Sequence, residues 1–364
     1  MPRPADCQVL SEICVPTDTR EPELEPNRPY FGEHTCEAEP MRLIEREEIA
    51  RRLTYEACIP LVRQAMISFS GGQTRQLLRS IIPLAGGHLF GVMPGALGED
   101  AAFGAKLISV YPENFSKGLQ SHQGLVVLFE PATGAPVCIL HAGEITAIRT
   151  AAASAAASAS LARPDARHLG ILGYGEQAAT HARALTLVRP ITRVSVWGRS
   201  SERAAAFCER MQAELRLPFS SARDAETLAG EADIICTVTA SREPILKGAW
   251  VQPGTHVNVV GSGVAGPAEI DTELVTRSRF IVDSREGVLK QGAEFLRAKA
   301  VGAIDDTHIA GEIGEVFAGK TPGRQSASDI TIYKSLGHVV QDLACAWALY
   351  TGIGLPEGTA HAGS

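Results

Sequence analysis

The chain has 364 residues, of which 45% are hydrophobic and 21% are charged, and it carries a net charge of −7. This length allows two or three domains, each large enough to bury an ordinary globular core. Lys and Arg are scattered along an acidic chain, which argues against nucleic-acid binding because neutralising phosphates requires a basic face. We therefore expect a small-molecule partner and no nucleic acid.

The cysteines and the termini indicate the cellular compartment. The eight cysteines lie far apart, with no C-x-x-C pair and no histidine cluster beside them. This pattern predicts reduced, mostly buried thiols rather than disulfides or zinc ligands, and no metal site. The N-terminus lacks the apolar run of a signal peptide, and the Ala-rich stretch 150–162 is too short to span a membrane. We expect a cytoplasmic protein that does not bind membranes.

The first part of the chain predicts an extension followed by an antiparallel sheet. Residues 1–40 are rich in Pro, Glu and Asp without periodicity, which predicts a disordered extension. Residues 54–69 carry apolar side chains at helical spacing, and Gly71-Gly72 ends that helix. Short β-like runs then follow at 78–84, 88–93, 103–110 and 124–129, with a hairpin signal at 131–134 and a return strand at 136–140.

An Ala-rich helix at 144–162 is the predicted connector to a second, parallel sheet. Predicted strands at 169–172, 194–197, 234–237, 257–260 and 280–283 alternate with helices, including 176–188 and 201–215. A last helix within 335–350 is expected to fold back over the first domain. The predicted fold is α/β: a Rossmann-type doubly wound parallel sheet over 149–317, plus an α+β domain formed by 41–148 with 318–356.

A glycine motif follows the first strand of the parallel sheet, at Gly173-Tyr174-Gly175-Glu176-Gln177-Ala178. In such a turn Gly173 permits the tight bend, Gly175 lets the backbone approach a pyrophosphate, and Ala178 lets the helix lie close to the strand. The helix N-terminus then presents free N–H groups to the anion. Taken alone the motif also fits a purely structural turn, but the second strand at the right distance favours a dinucleotide site.

The end of the second strand distinguishes NAD from NADP. An NAD site places Asp or Glu there to bind the ribose 2′-OH, whereas this chain has Gly198, Arg199 and Ser200. Arg199 and the Ser200 hydroxyl suit a 2′-phosphate, so we expect NADPH, with NADH as the alternative cofactor. The alternative role of Arg199 is that of a solvated residue at the start of the next helix.

Seven short strings occur in the order found in a known family. They are Arg79–Leu84, Gly91–Pro94, Ala105–Val110, Gly118–Gln123, Ile145–Ala152, Ile171–Ala178 and Tyr333–Gly337. Covering roughly residues 41–350, they resemble the ornithine cyclodeaminase and mu-crystallin family. The resemblance implies a homodimer whose α+β domain, completed by the C-terminal helix, binds substrate and dimerises, while the Rossmann domain presents the nicotinamide across a cleft.

The resemblance also implies a substrate site. Matched by motif, Arg79 and Arg149 correspond to arginines that grip the substrate carboxylate, Lys106 to the lysine beside it, and Ser121 to a hydroxyl near the substrate. A planar carboxylate suits the guanidinium fork, and an ammonium beside an imine nitrogen holds, orients or protonates it. Lys106 is therefore the expected catalytic residue.

Each of these residues has an ordinary alternative. Lys106 also fits a strand-face lysine, and Arg149 also fits a surface arginine ahead of an Ala-rich helix. His122 is expected to be structural and, because it is adjacent to Ser121, to point to the other face of its strand. The expected cofactor-binding set is Gly173, Tyr174, Gly175, Glu176, Gln177, Ala178, Arg199, Ser200, Thr237 and Ser262.

One loop departs from the cyclodeaminase pattern. Ornithine cyclodeaminases are expected to carry a catalytic aspartate after the strand at 257–260, whereas residues 261–268 contain no acid before Glu269. With Arg199, this favours an oxidoreductase that uses NADPH to take Δ1-pyrroline-2-carboxylate to L-proline, and its six-membered homologue Δ1-piperideine-2-carboxylate to L-pipecolate. The alternatives are an ornithine cyclodeaminase or alanine-type amino-acid dehydrogenase, and an NADPH and small-ligand binding protein with little catalysis.

Overall fold

The computed structural model describes residues 40–99 and 101–356, without the side chains of Phe115 and Ser116. The predicted extension at 1–40 lies, apart from Pro40, outside the described residues. All of the described residues belong to one compact unit. Within that unit two β-sheets are connected by one long helix, which agrees with the predicted α/β class.

The first sheet is formed by the N-terminal strands β1 (Arg42–Ile44), β2 (Arg75–Gln76), β3 (Ser80–Pro83), β4 (Leu89–Ala96), β5 (Phe103–Val110), β6 (His122–Phe129) and β7 (Pro136–His141). Their order is β1-β7-β6-β5-β4-β2, with β3 also paired to β4. Every pair is antiparallel except β1 with β7. The predicted antiparallel sheet is confirmed.

The second sheet is built from the strands β8 (His168–Leu172), β9 (Arg193–Trp197), β10 (Phe219–Ser221), β11 (Ile234–Thr237), β12 (His256–Val259), β13 (Ser278–Val282), β14 (Ile309–Glu312) and β15 (Ile330–Lys334). All pairs are parallel, in the order β10-β9-β8-β11-β12-β15-β13-β14. The chain order reverses between β8 and β11, which is where open α/β sheets bind dinucleotides. The predicted Rossmann-type sheet is confirmed.

Helices cover the two sheets and connect them. They are α1 (Arg46–Arg52), α2 (Tyr55–Ser70), α3 (Ala142–Leu161), α4 (Glu176–Thr186), α5 (Ser201–Leu215), α6 (Ala225–Glu231), α7 (Thr272–Arg277), α8 (Arg285–Gln291), α9 (Ala293–Ala300), α10 (Ile313–Phe317) and α11 (Val339–Thr351). Sixteen of the twenty residues of α3 are buried, because its Ala and Ser side chains let it pack against β6 of one sheet and β12 and β15 of the other. Helix α3 is the predicted connector.

Strand β15 corrects the predicted domain boundary. The sequence-based division gave residues 318–356 to the first domain, but β15 lies between β12 and β13 in the parallel sheet. All five of its residues are buried, including Lys334, and a charged residue there obscured the apolar run that marks a central parallel strand. Helix α11 does return to the first sheet, where it packs on β4, β5 and β6 as expected.

One face of the first sheet is covered and the other is open. Lys106 and Val126 pair across β5 and β6, and both side chains are buried beneath α11 and α3. Side chains on the opposite face remain partly accessible: Leu43, Phe103 and Leu125 are 58%, 37% and 41% exposed. This alternation leaves an apolar sheet face open in the single chain.

The structure bears on the predicted state of the cysteines and on the expected absence of a membrane span. The described part of the chain contains five free cysteines, all buried, as predicted: Cys58, Cys138, Cys208, Cys236 and Cys345. No helix among the described residues has the length and apolar character needed to cross a membrane.

Candidate functional site

The turn between β8 and α4 has the shape of a phosphate cradle. Gly173 has φ +125°, and a Cβ there would lie 3.0 Å from the carbonyl oxygen of Val238, so a side chain is excluded. Gly175 is the N-cap of α4, and Ala178 is fully buried. The N–H groups of the first turn of α4 have no partner within the helix and suit an anion. The predicted dinucleotide turn therefore fits a pyrophosphate.

The end of β9 places the predicted 2′-phosphate ligands beside this turn. A Cβ on Gly198 would lie 2.2 Å from the ring of Tyr174, so the two residues pack together and no larger residue fits at 198. Ser200 is the N-cap of α5 and accepts a hydrogen bond from the backbone N–H of Arg203 at 3.2 Å. Arg199 is exposed and makes no hydrogen bond or ion pair within the part of the chain that the structure describes. Its guanidinium is thus available to a ligand.

A buried cluster of charges lies on the covered face of the first sheet. Lys106 Nζ donates to Thr146 Oγ1 at 2.6 Å and to Asp342 Oδ1 at 3.1 Å. Arg149 Nε donates to the same Asp342 oxygen at 3.2 Å, and its Nη1 donates to Gln341 Oε1 at 2.8 Å. Neither Lys106 nor Arg149 is a surface residue, because both side chains are almost completely buried. One carboxylate is therefore shared by two cations.

The surroundings of Lys106 destabilise its charge. Burial lowers the pKa of Lys106 to about 8, since the attraction of Asp342 offsets the burial only in part and Arg149 and Arg79 repel the ammonium. Burial opposes ionisation of Asp342 too, but Arg149 and Lys106 hold the pKa of that carboxyl below its usual value. Lys106 can therefore lose its proton close to neutral pH, which is the property of an efficient general acid.

The turn at Leu336-Gly337 brings the two predicted carboxylate-binding arginines together. Arg79 Nη2 donates to the carbonyl oxygens of Leu336 and Gly337, the latter at 3.2 Å. Asp283 Oδ2 accepts from the backbone N–H groups of the same two residues at 2.5 and 2.8 Å. Gly337 has φ +80°, and a Cβ there would lie 2.9 Å from Arg149 Nη1. The turn therefore contacts Arg79 directly and lies against Arg149.

Ser121 and His122 lie at the edge of the charged cluster. Ser121 Oγ is 2.9 Å from His122 Nδ1, so the expectation that their side chains face opposite ways is wrong. Strand β6 begins only at His122, and strand alternation does not apply to the residue before it. Surrounding protein atoms and the positive charges of Lys106, Arg79 and Arg149 lower the pKa of His122 to about 4, although the side chain keeps a solvent-exposed edge. The imidazole is neutral at pH 7.

The loop after β12 is anchored by a buried ion pair. Lys334 Nζ lies 2.8 Å from Glu294 Oε2, and it donates to the carbonyl oxygen and the Oγ of Ser262 at 2.6 and 2.7 Å. Burial opposes ionisation of Glu294, but Lys334 and Ser262 bring the pKa of that carboxyl below its usual value. The Ser262 hydroxyl also donates to Glu294, so its hydrogen-bonding capacity is largely used within the protein.

A second buried carboxylate, that of Glu269, anchors the same loop. It accepts hydrogen bonds from Thr237 Oγ1 at 2.8 Å, from the backbone N–H of Gly261 at 2.7 Å, and from the N–H and hydroxyl of Thr239 at 2.7 Å each. Burial raises the pKa of Glu269 despite these donors. Glu269 therefore does not replace the acid missing from residues 261–268, and the Thr237 hydroxyl is directed inward rather than toward a cofactor.

Two contacts bring the parallel sheet up to the first sheet. A Cβ on Gly263 would lie 3.2 Å from Arg79 Nη1, so the loop after β12 approaches the predicted substrate arginine. Gln120 Nε2 donates to Glu176 Oε1 at 2.6 Å, which connects the segment before β6 to the first turn of α4. These contacts place the first turn of α4 and the loop after β12 next to the sheet that carries Lys106, Arg79 and Arg149.

Sequence reasoning missed several members of this site. Asp342 and Thr146, which hold Lys106, were not predicted, and neither were Gln341, Lys334 and Glu294. A signal for Asp342 does exist, because Gln341-Asp342 interrupts the otherwise apolar start of α11. A polar pair that is buried in such a helix must meet partners from elsewhere in the chain.

Known proteins resemble this chain in both sequence and fold. The family model described as the ornithine cyclodeaminase/mu-crystallin family matches residues 40–354. The mouse (Mus musculus) ketimine reductase mu-crystallin is 37% identical over 296 residues, covering 80% of this chain and 90% of its own.

Two solved structures are similar across the described fold. The Thermococcus litoralis Δ1-pyrroline-2-carboxylate reductase, in complex with NADH and L-proline, has a TM-score of 0.83 at 35% identity, covering 85% of this chain and 97% of its own. An archaeal alanine dehydrogenase dimer with bound NAD has a TM-score of 0.80 at 29% identity, covering 85% and 95%.

Proposed function

The chain belongs to the ornithine cyclodeaminase/mu-crystallin family, and from that premise we propose that it is an NADPH-preferring reductase of small cyclic imino acids. The proposed reaction converts Δ1-pyrroline-2-carboxylate to L-proline, with conversion of Δ1-piperideine-2-carboxylate to L-pipecolate as a related activity. One observation carries the proposal: Arg79, Arg149 and Lys106 converge on the covered face of the first sheet, opposite a turn that fits a dinucleotide.

The two arginines are proposed to bind the substrate carboxylate. A guanidinium has five N–H groups, and Arg149 uses Nε and Nη1 on Asp342 and Gln341. Arg79 donates from Nη2 only, to the turn at Leu336-Gly337. Each arginine therefore keeps N–H groups for a carboxylate, and each is already fixed in position by the protein. Such prior ordering contributes to catalysis because the substrate is positioned without further loss of side-chain entropy.

Lys106 is proposed to hold the imine nitrogen and to supply its proton. Bound NADPH supplies the hydride that reduces the imine carbon. The Lys106 ammonium gives one proton to the nitrogen, which becomes the secondary amine of the product, and the neutral amine of Lys106 regains a proton from water. Most of the rate then arises from positioning and from the positive charges around the reacting atoms.

The preference for NADPH is proposed to reside in Arg199. A charge-assisted hydrogen bond to a phosphate contributes roughly 1.5–3 kcal/mol, so Arg199→Ala is expected to raise the KM for NADPH by about 10- to 100-fold. The KM for NADH should change by about twofold or less, because NADH lacks the 2′-phosphate. Arg210→Ala, which removes an exposed arginine from the helix α5 that follows Arg199, is the matched control. Unchanged KM values for both cofactors in Arg199→Ala would show that Arg199 is only a solvated residue, and an equal rise in both would show that it does not recognise the 2′-phosphate.

The activity itself is tested by following NADPH and NADH oxidation with a panel of substrates. The panel contains Δ1-pyrroline-2-carboxylate, Δ1-piperideine-2-carboxylate, and pyruvate with ammonia or methylamine. The proposal predicts rapid oxidation of NADPH with a cyclic imino acid and slower oxidation with pyruvate and an amine. Ammonia release from ornithine without added reductant would favour a cyclodeaminase instead, and tight NADPH binding without any turnover would favour a binding protein.

The open face of the first sheet is proposed to form a homodimer. Its apolar residues, including Leu43, Phe103 and Leu125, are partly exposed in the single chain, which is a feature of protein interfaces. Leu125→Glu would bury an unpaired carboxylate at such an interface, so we expect a monomer where the unchanged protein is a dimer. Light scattering coupled to size-exclusion chromatography measures this. Leu187→Glu, at a 46% exposed leucine away from this face, should leave the mass unchanged, and a dimeric Leu125→Glu protein would reject the interface.

A further inference from the structure

We propose that Asp342 is a positioning residue for Lys106: it keeps Lys106 in the ammonium form and directs one N–H of that ammonium at the nitrogen of the imino acid. The inference rests on the proposed reductase function, in which Lys106 is the proton donor. It assigns a role to a residue of α11 that lies 236 positions along the chain from Lys106.

Two of the three Lys106 N–H directions are fixed by the protein. One points to Asp342 Oδ1 at 3.1 Å and another to Thr146 Oγ1 at 2.6 Å. Thr146 uses its own hydroxyl hydrogen on the carbonyl oxygen of Ala142 at 2.6 Å, so toward Lys106 it is an acceptor. An ammonium is tetrahedral, and fixing two N–H bonds also fixes the third. That third N–H is the one proposed to reach the substrate.

Asp342 is the carboxylate among the charged groups that face Lys106 from the elements packed around it. Those groups are Arg149 from α3, Asp342 from α11, Arg79 from the segment before β3, and His122 from β6. Two guanidinium groups and burial all favour the neutral amine, and His122 is uncharged at pH 7. Asp342 is the group that opposes them.

The carboxylate of Asp342 is directed to this cluster alone. Its Oδ1 accepts from Lys106 and Arg149 and, more weakly at 3.5 Å, from the Thr146 hydroxyl, whereas its Oδ2 is buried and has no hydrogen-bond partner among the described residues. Helix α11 thus buries a carboxylate with one unsatisfied oxygen, an arrangement that weakens folding. Keeping Lys106 charged gives this costly arrangement a function. The pKa of Lys106, about 8 with Asp342 present, agrees with a proton held near the working pH.

The test is the pH dependence of kcat/KM for cyclic imine reduction. The unchanged enzyme should lose activity as the pH rises past about 8, because Lys106 then loses its proton. Asp342→Asn keeps the size of the side chain and removes its charge, so the pKa of Lys106 falls. The alkaline limb of the profile, which is the pH range in which kcat/KM falls as Lys106 loses its proton, should move to lower pH by about 1–3 units. The ionisation of the substrate is the same in both proteins, so the shift between them reports on the enzyme alone.

Two further variants separate this role from a structural one. Asp342→Glu keeps the charge, and its alkaline limb should stay close to that of the unchanged enzyme even if kcat falls. Asp233→Asn removes a partly buried carboxylate outside the charged cluster, where it hydrogen-bonds to Arg163 and to the backbone N–H groups of Arg167 and His168, and it should leave the position of the limb unchanged. If Asp342→Asn does not fold, Asp342→Ser replaces it, because the smaller residue leaves room for water and carries the same expected shift.

The outcomes are distinct. A limb displaced to lower pH in Asp342→Asn, but not in Asp342→Glu or Asp233→Asn, supports the inference. An unmoved limb in an active, folded Asp342→Asn protein overturns it while leaving the reductase function intact. If the unchanged protein reduces none of the cyclic imines, the proposed function is rejected and the role of Asp342 falls with it.

Discussion

Replacing Lys106 with methionine is expected to lower kcat for imine reduction by about 100- to 10,000-fold, the usual contribution of a positioned proton donor. Methionine fills a similar volume but has no N–H group to offer the imine nitrogen. Arg149 still neutralises Asp342 in the variant, so the fold should be retained. The dissociation constant for NADPH, measured by quenching of protein fluorescence, should change little because the phosphate turn between β8 and α4 is untouched.

Lys290→Met is the matched control for this experiment. Lys290 is exposed on α8 and pairs with Glu286 at the surface, so kcat and NADPH affinity should both equal those of the unchanged enzyme. A Lys106→Met protein with unaltered kcat would reject Lys106 as the proton donor. A large loss of NADPH affinity in Lys106→Met would instead indicate that Lys106 contributes to binding of the cofactor.

Replacing Lys334 with methionine is expected to destabilise the protein by about 3–5 kcal/mol, because it leaves the buried carboxylate of Glu294 without its cation. Both side chains are completely buried, and Lys334 also holds the backbone and hydroxyl of Ser262. Urea denaturation at a fixed protein concentration measures the change in the free energy of unfolding. The substrate KM should rise as well, since the loop after β12 contacts Arg79 and is anchored at Ser262.

Two comparisons isolate the ion pair from a general effect of losing a lysine. Lys290→Met breaks an exposed pair on α8 and should cost about 0.5 kcal/mol or less. The double variant Lys334→Met with Glu294→Gln removes both charges, and it should recover part of the stability that Lys334→Met loses. A loss in Lys334→Met no larger than that in Lys290→Met would contradict the role given to the buried pair.

The parallel sheet could be predicted from the sequence because its signals are local. The apolar run at 169–172, the glycines at 173 and 175 and the strand at 194–197 lie within thirty residues, and each was found where predicted. Strand β15 escaped because Lys334 looks like a surface residue until its partner Glu294 is known. Local patterns identify elements, whereas a buried charge is explained only by its tertiary partner.

In the candidate site too, local motifs could be found from the sequence, whereas tertiary partners could not. Family motifs pointed to Arg79, Lys106 and Arg149, and the structure brings these three side chains to one cluster. Asp342 was missed because it meets Lys106 only after α11 has returned across the first sheet. Thr237 was placed at the correct strand end, but the sequence does not tell that its hydroxyl turns inward to Glu269. Side-chain direction at a strand end depends on the loop that follows it.

The proposed reaction is tested most directly by following the transferred hydrogen. The protein is incubated with Δ1-pyrroline-2-carboxylate and NADPH deuterated at both positions of nicotinamide C4, and the product is analysed by mass spectrometry. We expect proline that carries one deuterium on its α-carbon, formed in equal amount to the NADPH consumed. Unlabelled proline, or no proline while NADPH remains bound and unoxidised, would contradict it.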